Sequence, residues 1–212
     1  MNTTMDIGVN LIESYLRLAG YLTFSEFEVQ GRDDDGQYQA LTDVDIVGLR
    51  LPGDVYVGDP HDEDDCRLLL IDDPVLELEE NCVDLIIGEV KQGEATINPG
   101  LYDHRVLHAV LRRVEWLFDD DLDAVVEGLQ GDGIHRSPAR GGGTIRTRIV
   151  AFGRAPTTSL NVISHTHVVQ TMLGFFEQFE EAIRPIQYRD PAPALLRFLT
   201  KTGFEVTKPP KE

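Results

Sequence analysis

Four charged residues interrupt two otherwise apolar stretches of this sequence. Asp43 and Asp45 lie in the stretch TDVDIVG, and the stretch DLIIGEVKQG carries Glu89 and Lys91 near its end. The members of each pair are two residues apart, so they share a face if the stretches are β-strands. Strands that follow each other usually pair, which would bring three carboxylates and one ammonium group to one sheet edge. Because such charges are costly to bury unpaired, this pattern indicates a site.

The chemistry that these residue types favour is metal-assisted hydrolysis of a phosphate ester. Mg²⁺ prefers oxygen ligands and keeps several waters, so two carboxylates on a rigid strand pair suffice to bind it. Asp45 and Glu89 are the predicted ligands, with the backbone carbonyl of Val90 as a third contact. A bound metal lowers the pKa of a water, and the Lys91 ammonium group can position that water or help deprotonate it, and can stabilise charge on phosphorus.

Lysine is rare in this chain, which contains only three others: Lys201, Lys208 and Lys211. Arginine would not replace Lys91 well, because its guanidinium group stays protonated and is a planar fork. An acid, any residue and a lysine also occur together by chance, so this tripeptide alone is weak evidence. The alternative is a solvated face on which Lys91 makes an ordinary ion pair that contributes little stability.

The composition limits the classes of protein to consider. A net charge of −18 over 212 residues argues against a protein that coats nucleic acid, since such a protein would be basic. The acidity either repels nonspecific polyanions, so that a partner protein or a local patch supplies DNA contacts, or reflects adaptation to high salt. Two cysteines are too few for a disulfide scaffold. No signal peptide or membrane-spanning stretch is visible, so we expect a cytoplasmic protein.

Hydrophobic periodicity predicts the order helix, strand, strand, strand, helix, strand, strand, helix, which favours a mixed sheet with helices on its faces. In the first strand, alternation places Phe24 and Glu26 on one face and Phe27 on the other. A flexible loop is predicted over 131–143. The predicted helices cover 6–19, 98–118 with a continuation to 130, 168–184 and 192–200, and the predicted strands cover 21–30, 38–51, 83–93, 144–153 and 160–169.

Three segments of the chain, NLIESYLRL, LTDVDIVGL and IIGEVKQG, resemble the PD-(D/E)XK nuclease superfamily. This resemblance covers about residues 7–170. It implies that Asp45 and Glu89 are the family's metal-binding acids and that Lys91 is its catalytic lysine. Glu13 matches an acidic residue that many members carry on the first helix and is expected to support a second ion or a water. Asp43 is expected in a supporting role.

The resemblance also implies a fold and an activity. The expected fold class is α/β, a mixed central sheet flanked by helices with a restriction-endonuclease-like αβββαβ core. The domain would span 1–190 with an acidic insertion at 52–82, and 191–212 would be a short C-terminal helix and a loose tail. Val44 replaces the proline that gives the family its name, as in many members.

The implied activity is Mg²⁺- or Mn²⁺-dependent hydrolysis of phosphodiester bonds in DNA. No membrane partner is expected. A homodimer is expected if both strands of a duplex are cut. The alternative is a non-catalytic subunit that keeps the nuclease fold and serves assembly or binding, which the acidic composition favours.

Basic residues near residue 140 are the candidates for contacting nucleic acid. Arg146 and Arg148 share a strand face, and Arg136 and Arg140 lie in the preceding loop, so together they are predicted to form a surface patch for a phosphate backbone. Gln92, next to the lysine, is a further candidate for substrate contact.

Two histidine pairs are weaker candidates. His104 and His108 are four residues apart on a predicted helix, a spacing that suits a metal, but the glutamate that accompanies such pairs is absent. His165 and His167 could share a strand face, but Thr166 could equally be a helix cap. We expect all four to be structural.

Overall fold

The computed structural model describes residues 6–32, 35–53, 70–184 and 186–205. Within this part of the chain, six strands form one mixed, curled sheet that is flanked by helices. The α/β class predicted from the sequence is therefore confirmed. The strands are β1 Leu22–Arg32, β2 Tyr38–Arg50, β3 Cys82–Glu94, β4 Ile134–Pro138, β5 Thr144–Arg154 and β6 Val162–Ser164. The helices are α1 Ile7–Leu18, α2 His104–Leu111, α3 Leu122–Asp132, α4 His165–Gln178, α5 Glu180–Ile183 and α6 Pro191–Lys201, with 3₁₀ turns at Pro74–Leu76, Pro99–Tyr102 and Arg112–Leu117.

The strand order is β1-β2-β3-β5-β4, and β6 also pairs with β5. β1, β2 and β3 form an antiparallel meander, whereas β3 and β5 run parallel. Parallel neighbours require a crossover connection, and α2 and α3 provide it. β3 is consequently covered on both faces, and this explains why its first nine residues are all buried.

Helix α1 begins at Ile7 because Asp6 caps it. The Asp6 carboxylate accepts hydrogen bonds from the backbone N–H of Gly8 (2.7 Å) and of Val9 (3.3 Å), which satisfies donors that have no partner within the helix. The apolar face of α1, including Ile12 and Leu16, packs into the core cluster on one side of the sheet. Helices α2 and α3 pack into a second cluster on the opposite side.

Strand β1 does not alternate as the sequence predicted. Phe24 and Phe27 pack against the same core cluster, with their ring centroids 5.8 Å apart. Glu26, between them, has a φ of 53°, and this left-handed conformation interrupts the period of two. The predicted assignment of Phe24 and Phe27 to opposite faces is therefore wrong.

Two other expectations also differ from the structure. The predicted loop over 131–143 contains β4, which pairs antiparallel with β5. The predicted strand over 160–169 is short, because the Ser164 hydroxyl accepts a hydrogen bond from the His167 N–H (3.1 Å) and caps α4. His165 and His167 therefore lie on a helix instead of sharing a strand face.

The predicted acidic insertion at 52–82 lies partly outside the described residues, which omit 54–69. The described portion after it packs on the α1 side of the sheet, where Ile71 and Leu76 are buried. Helix α6 also packs on α1: the Ala192 N–H donates to the Asn10 side chain (3.0 Å). No helix in the described ranges has the length and apolar character that a bilayer crossing requires.

Candidate functional site

The candidate site lies where the central strands separate. The β2–β3 ladder runs from the pair Arg50–Asp84 to the pair Ile46–Gly88 and includes no pair at Asp45. The β1–β2 ladder also omits Asp45, although it includes the residues on either side. The β3–β5 ladder is continuous as far as Val90 and then shifts register. At Asp45 and directly after Val90, the chain therefore leaves the regular strand pairing, and its side chains and backbone groups are not engaged in the ladders.

Two contacts connect the residues at this opening. The Asp45 Oδ2 atom accepts a hydrogen bond from the Val90 backbone N–H at 2.7 Å, so a side chain replaces the missing rung of the ladder. Lys91 Nζ donates to Glu89 Oε1 in a close ion pair. The predicted pairing of these two strands is confirmed, and it brings Asp45, Glu89 and Lys91 together.

Gly88 leaves space for side chains from the two neighbouring strands. A β-carbon at this position would lie 2.6 Å from Ile46 Cγ2 on β2 and 2.9 Å from Phe152 Cε2 on β5. Real β-carbons do not approach other atoms so closely, so a larger residue would displace these side chains. The glycine in IIGEVK thus lets Ile46 and Phe152 pack over β3 directly before Glu89.

Both carboxyl groups of the site resist ionisation. Glu89 is 3% exposed, and burial together with repulsion from Asp45 raises its pKa, although its bond to Lys91 acts in the opposite direction. Burial also raises the pKa of Asp45 against the effect of the Val90 N–H and Lys91, and the charges of Asp6 and Asp43 add to the rise. The hydrogen bond to Glu89 raises the pKa of Lys91.

A divalent cation fits this charge distribution. Asp45 and Glu89 carry two negative charges against the single positive charge of Lys91, and an added cation would relieve the repulsion that raises both carboxyl pKa values. Among the described residues, no group of three or more His, Cys, Asp or Glu side chains is arranged to hold a metal. The two carboxylates would therefore hold a largely hydrated ion, as Mg²⁺ prefers, with the Val90 carbonyl as the predicted third contact.

Two further residues lie near this opening: Asp6, which was not predicted from the sequence to belong to a site, and His165, which was expected to be structural. Asp6 contributes negative potential to Asp45 and to His165. The His165 Nε2 atom is buried without a hydrogen-bond partner among the described residues, and burial lowers the pKa of its imidazole. The signal for Asp6 was present in the sequence, since an acid directly before an amphipathic helix is typical of an N-cap.

Glu13 forms its hydrogen bonds, within the described residues, with other groups. Its Oε1 atom accepts from Arg17 Nη2 (2.7 Å), Thr23 Oγ1 (3.2 Å) and Ser25 Oγ (3.3 Å). These contacts fix α1 against β1. Among the described residues, Glu13 therefore makes no hydrogen bond to Asp45. Its role in supporting a second ion or a water stays a prediction.

Asp43 and Gln92, two further candidates beside these residues, are exposed. Asp43 lies on β2 opposite Glu28 and adds negative charge near Asp45 and Glu89. Gln92 follows Lys91 where β3 has left the regular ladder with β5. Both are accessible to a ligand at the strand opening.

The prediction that Arg146 and Arg148 form a surface patch is wrong. Both are fully buried, at 1% and 0% exposure, and both bond Asp84: Arg146 Nε lies 2.6 Å from Oδ1 and Arg148 Nη2 lies 2.8 Å from Oδ2. Their remaining donors are directed at the backbone carbonyls of Leu76, Glu77 and Leu160. They lie on the strand face that α1 and the segment after residue 70 cover, so no phosphate can reach them.

Tyr21 completes this interior cluster. Its hydroxyl donates to Asp84 Oδ2 at 2.5 Å, and burial and the Asp84 charge raise its pKa. A related group lies nearby, where Asp73 Oδ2 accepts from the Tyr15 hydroxyl (2.5 Å) and lies 2.7 Å from His167 Nε2. These bonds hold the segment around residue 73 on the sheet, which is a structural role.

The remaining predicted basic residues and histidines make surface contacts. Arg136 forms a two-bond pair with Glu79, and Arg140 lies 3.7 Å from Asp119 while remaining 62% exposed. The His104 and His108 rings stack beside Asp123. Of the four arginines in the predicted patch, Arg140 is the one that remains available to a phosphate backbone.

Comparisons of the chain with models of protein families, with curated proteins and with solved structures give no match.

Proposed function

We propose that this protein is a metal-dependent nuclease of the PD-(D/E)XK type. The observation that carries the proposal is the meeting of Asp45, Glu89 and Lys91 where β2 and β3 separate. Two acids with raised pKa values beside one lysine are typical of a site that operates with a cation. A solvated surface pair would not need Glu89 to be buried.

The order of elements supports the same class. The helix α1 is followed by the three-stranded meander β1–β3, then by the helices α2 and α3, by the short strand β4 and by β5, which lies parallel to β3. Apart from β4, which pairs antiparallel with β5, this order is that of the αβββαβ core that the sequence resemblance implies. Asp45 and Glu89 lie on the second and third strands of the meander, as the resemblance requires.

The residues of the chain have distinct roles in the proposed reaction. Asp45 and Glu89 would hold Mg²⁺ or Mn²⁺, which supplies an activated water and neutralises charge on the phosphate. Lys91 keeps its proton, since the pair with Glu89 raises its pKa. Its ammonium group would donate hydrogen bonds to the attacking water or to a phosphate oxygen.

The proposed substrate is DNA, and Gln92 and the strand opening are its proposed contacts, whereas Arg140 precedes β5 at the opposite end of its ladder with β3. A chain with a net charge of −18 repels polyanions at long range. We therefore propose that a partner protein or a second copy of the chain supplies part of the DNA contact.

Cleavage assays on purified protein test this function. Wild-type protein should cut duplex or single-stranded DNA only with Mg²⁺ or Mn²⁺, and Lys91→Ala should lower the rate by about 10²-fold or more, because a charge that stabilises the transition state is lost. Lys201→Ala, at an exposed position on α6, is the matched control and should cleave as wild type does. Equal cleavage by Lys91→Ala and wild type at the same purity would refute the assignment.

The second candidate is a non-catalytic subunit with the same fold. The burial of Arg146 and Arg148 favours it, because the most basic strand of the acidic chain offers nothing to a nucleic acid. Calorimetric titration with Mn²⁺ separates the two functions: a nuclease should bind the ion with an affinity that Asp45→Asn and Glu89→Gln abolish. Absence of such binding would leave the non-catalytic role.

A further inference from the structure

An open cavity lies at the carboxyl ends of β3 and β5, beyond the strand opening. It has a volume of about 630 Å³ and is formed by the last residues of these strands and the segments that follow them. The two strands run parallel, and in open α/β sheets ligands commonly bind outside the carboxyl ends of the strands. Five polar side chains line the cavity: Glu94, Thr96, Arg154, Thr157 and Ser159.

Arg154 is the cation of this cavity. It is exposed, and its guanidinium group makes no hydrogen bond or ion pair with a described residue. Glu94 lies opposite it in the β3–β5 ladder, yet the two side chains do not form an ion pair. Four other exposed arginines each have a carboxylate within 3.7 Å: Arg17, Arg105, Arg136 and Arg140. Arg154 is therefore accessible to an anion from outside the described part of the chain.

Three hydroxyl groups surround Arg154 in the lining. Thr96, Thr157 and Ser159 are exposed, and none of their side chains forms a hydrogen bond with a described residue. Arginine together with serine and threonine hydroxyls is a common set of contacts to the phosphates of nucleic acids. Glu94 is the one acid among these polar side chains, so the lining has no net charge, although the whole chain carries −18.

The strand ladder sets the distance between this cavity and the proposed nuclease site. Val90 pairs with Phe152, and Glu94 pairs with Arg154. These two pairs are two residues of β5 apart, which is about 7 Å along the strand. A duplex carries one phosphate per about 3.4 Å of axis on each strand. A nucleic-acid strand whose reacting phosphate lies at Lys91 would therefore place a second phosphate at Arg154 about two nucleotides away.

Gly153 fixes this distance. A β-carbon at this position would lie 2.8 Å from the Ala95 Cα atom, so glycine lets the end of β3 pack closely on β5. The Ala95 N–H donates to the Arg154 carbonyl oxygen at 2.9 Å. The backbone on both sides of the cavity is thus held to the same sheet as the site.

We propose that this cavity binds a backbone phosphate of the nucleic-acid strand that is cleaved at the strand opening. Arg154 pairs with the phosphate, and Thr96, Thr157 and Ser159 donate hydrogen bonds to it. This inference rests on the proposed nuclease function and adds a substrate contact to it. Arg154 is a positioning residue, since it holds the strand away from the reacting phosphate. Its loss should therefore affect binding and leave the chemical step unchanged.

Fluorescence anisotropy with a labelled DNA oligonucleotide tests the proposal, measured with Mn²⁺ on the full chain carrying Lys91→Ala to slow cleavage. Adding Arg154→Gln should weaken binding about fivefold or more at low salt and lower the slope of log Kd against log salt by about 1, as the loss of one phosphate contact does. In cleavage assays with Lys91 intact, Arg154→Gln should raise KM by a similar factor and leave kcat unchanged.

Arg189→Gln is the matched control, an equal loss of charge at an exposed arginine. Arg189 precedes Asp190, which pairs with Arg17 near the C-terminal end of α1, away from the strand opening. This variant should bind and cleave as its parent does. If Arg154→Gln matched it while wild type cleaves DNA, the phosphate contact would be wrong and the nuclease function would stand. If wild type neither bound nor cleaved DNA, the nuclease function and this contact would both be overturned.

A second variant should have the opposite effect. Glu94→Gln removes the acid of the lining and with it the repulsion of a bound phosphate, so DNA should bind about twofold more tightly or better at low salt. Glu127→Gln, at an exposed position on α3, removes the same charge and is the matched control. Binding by Glu94→Gln that is no tighter than that of Glu127→Gln would show that the phosphate does not enter this cavity.

Discussion

Strand β3 carries two buried acids, Asp84 and Glu89, whose surroundings are opposite in character. Both are nearly inaccessible, at 2% and 3% exposure. Asp84 is bonded by Arg146, Arg148 and the Tyr21 hydroxyl. Glu89 has a single lysine, 40% exposed at its side chain, and a second carboxylate nearby.

The pKa values of the two acids shift in opposite directions. Burial disfavours ionisation of Asp84, but the charges and hydrogen bonds of Arg148 and Arg146 outweigh it and lower the pKa. Burial and the neighbouring Asp45 raise the pKa of Glu89 in spite of Lys91. A buried acid whose charge is fully balanced holds the fold together, whereas one whose charge is left in excess is available for a cation. The difference therefore separates a structural acid from a candidate functional one on the same strand.

The largest expected effect comes from breaking the balanced cluster. Asp84→Asn keeps the shape of the side chain but leaves Arg148 buried without a counter-charge and leaves Arg146 with only the half-exposed Glu79, 3.8 Å away. We expect it to lower the free energy of unfolding by about 3–5 kcal/mol, as is usual when one partner of a buried ion pair is removed. Urea or guanidinium denaturation measures the change.

The control for this experiment is an exposed ion pair outside the cluster. Asp119→Asn removes the carboxylate whose Oδ1 atom lies 3.7 Å from Arg140 Nε. Both side chains are more than half exposed, so this loss should stay below about 1 kcal/mol. If Asp84→Asn were no more destabilising than Asp119→Asn, the cluster would not be structural.

Glu89 was predicted correctly from the sequence as a charge near Asp45. Arg146 and Arg148 were predicted to lie at the surface, but they are buried. The pairing of two neighbouring strands requires only alternation and proximity in the chain, and both are visible in the letters. The burial of two arginines depends on which face of β5 is covered, and α1 and the segment around Leu76 cover it. A signal was nevertheless present, because Asp84 inside the apolar run VDLII needs a buried cation.

The local backbone around the site was not predictable from residue types. Glu26 adopts a positive φ without being glycine or asparagine, so no letter marks the irregularity that brings Phe24 and Phe27 to one face. Strand β4 was missed for a similar reason, since IHRSP has neither alternation nor strong strand formers and pairs only because β5 presents an edge.

The second prediction concerns the residue between the two acids. Gly88→Ala places a methyl group 2.6 Å from Ile46 Cγ2 and 2.9 Å from Phe152 Cε2, so these side chains must shift. We expect a loss of about 1–3 kcal/mol, typical of overpacking, measured by chemical denaturation.

Gly93→Ala on the same strand is the matched control, because a β-carbon there meets nothing within 4 Å. It should leave the free energy of unfolding within about 0.5 kcal/mol of wild type. Equal stability of the two variants would show that the close approach at Gly88 is relaxed at little cost.

Glu89→Gln is expected to change the free energy of unfolding least, and any change should be an increase instead of a loss. Because the folded-state pKa of Glu89 lies above its unfolded value, the folded protein binds more protons than the unfolded chain as the pH rises from about 4.3 through the folded pKa. Stability contributed by this group therefore falls over that range. Asp84 behaves in the opposite way, because its pKa is lowered. The stability that Asp84 contributes is present above about pH 3.9 and is lost as the pH falls through its folded pKa.

Glu89→Gln should be neutral or stabilising by less than about 1 kcal/mol at pH 7. The stability of this variant should decline less with rising pH than that of wild type. Adding Asp45→Asn should flatten the profile further. A loss at pH 7 comparable to that of Asp84→Asn would instead make Glu89 a second structural acid, and the contrast along β3 would disappear.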